Sequence, residues 1–196
     1  MTSPELLADH DPQANGESHE RIVAATRNWL EKAVIALRLC PFAAAPYRRE
    51  QIRYRVSEQR SPDGLVQELG QELKYLNAAD PLLCETSLLI LPHVLGDFGD
   101  YNQFLAEAEA TVSALGLEGV LQIASFHPAY AFAGSAPNDV ENYSNRSPYP
   151  MLHLLREASV TRAVAAFPEA NEIVDRNMAT LRALGAVGCR ELMTRD

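Results

Sequence analysis

The chain has 196 residues, 47% of them hydrophobic and 22% charged, with a formal net charge of -9. That length suits one domain with a real core, and the acidic balance excludes non-specific nucleic-acid binding, which needs a basic surface. Its three cysteines, Cys40, Cys84 and Cys189, are far apart and form no CxxC, which speaks against a disulfide framework or a cysteine zinc site.

Residues 1–18 are polar and aperiodic, with Pro4, Pro12 and Gly16, and read as a disordered tail ahead of one α/β domain over 19–196. The first residues lack a basic region followed by an apolar run, so no signal peptide is expected. No stretch approaches the roughly 18 apolar residues of a spanning helix. These features predict a cytoplasmic protein with no membrane partner.

From Glu20 to Leu39 the apolar residues recur at helical spacing, and Pro41 ends the pattern. Ile52, Tyr54 and Val56 alternate with Arg53, Arg55 and Ser57, which predicts a half-exposed strand. Ser61-Pro62 marks a helix start, and Leu65, Leu69, Leu73 and Leu76 give that helix one face. Ser87 to Leu91 reads as a strand buried on both faces. Asp100 is a candidate cap for the next helix, with Gly116 at its end. Val120 to Phe126 predicts a third strand. Ser147-Pro148 repeats the helix-start signature, and a last helix is expected from Pro168 to Leu184, ending at Gly185. Alternating strands and helices predict an α/β fold: a small, mainly parallel sheet of three to four strands flanked by helices. Residues 130–133 are the candidate fourth strand, and a ferredoxin-like arrangement is the alternative.

The candidate chemistry lies at strand ends and beyond. The second strand runs into His93 and the third into His127, which parallel strands would bring to one carboxyl edge, where open α/β sheets bind ligands. His93 reads more as a turn-stabilising residue than as a ligand. The long connection after His127 carries Asp139, Asn142, Asn145 and Arg146. Asp139 could ligate a metal or orient a histidine, while asparagines also serve as plain turn residues. A helix beginning at Ser147 would present free N–H groups beside the Arg146 guanidinium, a site for phosphate or carboxylate. On that helix His153, Arg156 and Glu157 would share a face. His153 and Glu157 could then ligate a metal together with His127 and Asp139, or act as base and orienter. Cys40, among Leu39, Pro41 and Phe42, reads as buried rather than nucleophilic.

Leu39-Cys40-Pro41-Phe42, Ser125-Phe126-His127-Pro128 and Asn145-Arg146-Ser147-Pro148-Tyr149-Pro150 running into His153-Leu154-Leu155-Arg156-Glu157 resemble the bacterial DUF1415 family, over about Glu20 to Gly185. The resemblance implies a stand-alone bacterial cytoplasmic domain and carries no catalytic assignment, since the function of that family is unknown. The residues themselves suggest a small-molecule enzyme working by His/carboxylate acid–base chemistry, with His127, His153, Asp139 and Glu157 catalytic. Asn142, Asn145, Arg146, Ser147, Arg156 and His93 would bind a small anionic substrate. The alternatives are a non-catalytic metabolite-binding or protein-interaction module, and a purely structural loop that plugs the sheet. Convergence of His127, Asp139, Arg146 and His153 on one pocket would favour the enzyme.

Overall fold

Ser18 opens the first helix by accepting a hydrogen bond from the Arg21 N–H, and α1 runs His19–Trp29. The computed structural model describes residues 17–166 and 172–193, so most of the expected tail lies outside the described residues. After Trp29 the helix widens into a π-helical stretch, Leu30–Ile35, and the sequence then adds a short α2, Ala44–Arg48. The remaining elements are β1 Ile52–Val56, α3 Pro62–Ala78, β2 Thr86–Ile90, α4 Phe98–Ala114, β3 Leu121–Phe126, β4 Met151–Arg156, α5 Glu157–Ala165 and α6 Ile173–Glu191. A 3₁₀ turn, Val140–Ser144, interrupts the long connection between β3 and β4.

Capping logic holds for α3, where the Ser61 hydroxyl accepts from Gly64 N–H and Pro62 begins the helix. For α4 the cap is Asp97, which accepts from Gly99 and Asp100, so the helix starts ahead of the expected Asp100. Gly116, at φ +65°, lies just past the end of α4. Gly185 interrupts the last helix without ending it. Its φ of 71° makes a kink, and the chain stays helical to Glu191. The proposed start at Pro168 lies outside the described residues.

The four strands order as β1-β2-β4-β3. β1 and β2 are parallel, whereas β4 runs antiparallel to both β2 and β3. The fold is α/β, as expected, but the sheet is mixed and not mainly parallel. The fourth strand is Met151–Arg156, where the sequence pattern predicts a helix, and 130–133 form no strand. Met-Leu-His-Leu-Leu-Arg fits either period, because so short an apolar run cannot discriminate them. Pro150 decides the matter. It biases Tyr149 away from helical backbone, and the Pro150 carbonyl accepts from Leu91 N–H at 2.9 Å, so the chain enters the sheet there.

Helices cover both faces of the sheet, unlike the one-sided ferredoxin-like alternative. On one face, α3 and α4 pack on Leu89, Leu91, Leu121, Leu152 and Leu154. Leu65, Leu69, Leu73 and Leu76 of α3 are fully buried there, each contributing about 2 kcal/mol by area. Arg53 and Arg55 of β1 also turn to this face and pair with the buried Glu72 and Glu68 of α3, at 2.6 and 2.9 Å. Tyr101 of α4 donates to the Met151 carbonyl and accepts from Phe126 N–H, tying β4 to β3. On the other face, α1 and the π-helical stretch pack on Val56, Leu88, Ile90 and Met151. Among the described residues no helix is long and apolar enough to cross a membrane.

Candidate functional site

The connection after β3 spends its polar groups on itself. His127 is fully buried, its Nε2–H donates to the Leu95 carbonyl at 3.1 Å, and its Nδ1 accepts from Ala129 N–H at 3.0 Å. Both ring nitrogens are thus occupied, and burial pushes the imidazole pKa down, which keeps it neutral. Leu95, whose carbonyl accepts this bond, has a φ of +57°. Asn142, fully buried, accepts from Phe132 N–H and the Ser135 hydroxyl and donates to the Ala136 carbonyl. Asp139 accepts from Ala136 N–H. Asn145 donates to the Ser125 carbonyl and accepts from Ser144. Arg146 donates to the carbonyls of Tyr130 and Pro137, with its guanidinium 4.4 Å from the Tyr143 ring centre. Ser147 is buried and donates to the Tyr149 carbonyl, so it caps no helix. The anion site drawn from a helix start at Ser147 therefore has no helix beneath it.

The shared face of His153, Arg156 and Glu157 also dissolves, because in a strand residues three apart point to opposite sides. Arg156 donates to the carbonyls of Leu76, Ala79 and Cys84, closing the end of α3. Glu157 is the first residue of α5. His93 stands at the carboxyl end of β2, 4.0 Å from the Glu58 carboxylate, which also engages His19. Among the described residues no three His, Cys, Asp or Glu side chains are placed to hold a metal ion.

His153 is different. It lies mid-strand on the α1 side of the sheet, paired with Leu88 and Ala124 on its two neighbours. His127 packs against Phe98 and Tyr101 of α4, beneath the opposite face. The His153 Nε2 is 2.8 Å from the Thr86 hydroxyl oxygen, and that hydroxyl is 2.6 Å from the Leu154 carbonyl. Burial depresses the His153 pKa to about 4.

Above His153 is a cavity of about 630 Å³. Its floor is the sheet: Leu88, His153 and Ala124 in one row, Thr86, Leu155 and Gln122 in the next. Trp29, Leu30 and Val34 form one wall, the Cys40–Pro46 segment a second, and Ser159, Val160 and Ala163 of α5 a third. Arg49, Glu85 and Arg162 stand among the lining residues, with Arg162 reaching Glu85 at 3.9 Å. The space exists because Ala124 is small beside His153 and because α5 settles no residue into the core. Cys40 lines this cavity, and burial raises its pKa, so it persists as a neutral thiol.

The match that places the chain covers residues 21–191, nearly the whole described fold. The chain belongs to the DUF1415 family. DUF1415 is described as a protein of unknown function. No curated protein and no solved structure matches this DUF1415 chain.

Sequence reasoning reached His153 but missed Thr86, Leu88, Ala124 and the α1 wall. Each of these looks like ordinary core in its own segment. The available signal was the single histidine inside an otherwise apolar run. A strand reading would have set it on one face with Met151 and Leu155, opposite Leu152 and Leu154.

Proposed function

We propose that this DUF1415 chain is a binding module for a small, largely apolar molecule held in the cavity between the sheet, the π-helical stretch and α5. The observation that carries this reading is the cavity itself: an apolar enclosure of about 630 Å³ whose floor pairs the half-buried His153 with the buried Thr86. Ligand sites are commonly concave, mostly apolar and furnished with a few placed polar groups, at 300–1,000 Å³. The enzyme reading asked His127, Asp139, Arg146 and His153 to converge. Instead His127 and His153 serve opposite faces of the sheet, and the other two brace the loop. That favours the binding module. An acidic group on the ligand belongs at the mouth, near Arg49 and Arg162, and not on the floor. Three free cysteines fit residence in a reducing cytosol.

The test is binding of the neutral apolar dye Nile red, followed by fluorescence and thermal shift. Wild-type protein should bind it saturably with one site per chain. Ala124→Phe, which fills the floor, should fold with the same circular dichroism and lose the dye. Equal binding by the filled variant would sink the proposal.

A further inference from the structure

The neighbours of His153 fix which of its ring nitrogens carries the hydrogen. The Thr86 hydroxyl carries one hydrogen. At 2.6 Å from the Leu154 carbonyl that hydrogen must lie between the two oxygens, since otherwise their lone pairs would collide. Thr86 has then nothing left to donate to His153, so the 2.8 Å contact requires the hydrogen on Nε2. A neutral imidazole has a single N–H. Nδ1 is therefore a bare lone pair, and it has no hydrogen-bond partner among the described residues.

Resting on the cavity reading above, we infer that the cavity selects a molecule whose buried end is a neutral hydrogen-bond donor of the hydroxyl class, an alcohol or phenol, received by Nδ1 of His153. Thr86 is the positioning residue that fixes the tautomer. The enclosure favours an apolar body, and the floor offers that body one acceptor. A hydrocarbon or ether leaves the acceptor unpaired, which costs affinity. A carboxylate sets its own lone pairs against Nδ1 and would have to be desolvated as well. The expected order is hydroxyl first, ether second, carboxylate last.

Three probes of one shape test this: 4-propylphenol, 4-propylanisole and 4-propylbenzoate, titrated calorimetrically into the full chain. The phenol should bind about tenfold tighter than the anisole, the span of one well-made hydrogen bond, with the benzoate weakest. In His153→Phe the anisole should bind as before and the phenol preference should vanish. In the wild type, long-range ¹H–¹⁵N spectra should show a hydrogen on Nε2 and an upfield move of the Nδ1 resonance on adding the phenol, a readout that needs no variant. Equal affinities for phenol and anisole, a preference that survives His153→Phe, or a hydrogen on Nδ1 would overturn the inference and leave the cavity reading standing. Failure of all three probes and of Nile red to bind would overturn both.

Discussion

The connection from His127 to Pro150 and the cavity on the opposite side of the sheet use polar side chains in contrary ways. In the connection, His127, Asn142, Asn145 and Arg146 turn inward to backbone groups of the same loop and its neighbours. In the cavity, His153 has one nitrogen engaged by Thr86 and the other without a hydrogen-bond partner among the described residues. A dense polar motif is thus the signature of a self-bracing loop, which needs a partner for each buried backbone group. A lone histidine in an apolar strand is the better sign of a place where something else can bind.

The sharpest way to break that contrast is Asn142→Ala. It removes the three side-chain hydrogen bonds of the buried Asn142, whose partners on Phe132, Ser135 and Ala136 lie at exposed or half-buried positions, so a loss of about 3 kcal/mol is expected, about 1 kcal/mol per bond. Urea unfolding would measure it, and Nile red binding by the folded fraction should not change. If dye binding falls with the loop intact by circular dichroism, the two regions are not separate.

Acid gives an effect of similar size. The folded pKa of His153, about 4, lies below its unfolded value near 6.5, so the unfolded state binds the proton first. Stability should therefore be full above about pH 6.5, fall as pH drops towards 4, and lose about 3 kcal/mol to this residue over that window. His127 shifts in the same direction and adds to the fall. Urea midpoints across pH should show a shallower slope in His153→Phe, and an unchanged slope would argue that the ring is solvated in the folded chain.

Thr86→Val sharpens the comparison at smaller scale. It should cost about 2 kcal/mol, for the two hydrogen bonds of the Thr86 hydroxyl, and should populate both His153 tautomers in the nitrogen spectra. The gentlest probe is Cys40. Its raised pKa predicts slower alkylation by iodoacetamide at pH 8 than that of an unhindered thiol, and slower still with the cavity occupied. Mass spectrometry of the labelled peptide would reveal modification unaffected by occupancy, which would place Cys40 outside the binding space.

Much of the frame was legible in the residues. Alternation drew β1, Ser61-Pro62 drew the start of α3, and a continuous apolar run drew β2, because each is a local rule acting locally. The position of His127 at a strand end was legible too, but its occupation was not, since Leu95 and Ala129 receive it only once the loop has closed. β4 escaped because Ser147-Pro148 resembles a helix start and only Pro150, two residues later, contradicts it. The cavity escaped for a different reason. A void is made by what neighbouring elements fail to fill, and no single segment records the small size of Ala124 opposite His153 or the shallow seating of α5.

The insertion of β4 between β2 and β3 also sets the order of assembly. Until residues 151–156 leave the ribosome, β2 and β3 each present an open edge to solvent, and such edges recruit foreign strands. The last strand to be synthesised is the one that joins the two halves of the sheet and carries the floor histidine. A nascent chain shorter than that should depend on chaperones, and the binding space should arrive only with completion of the sheet.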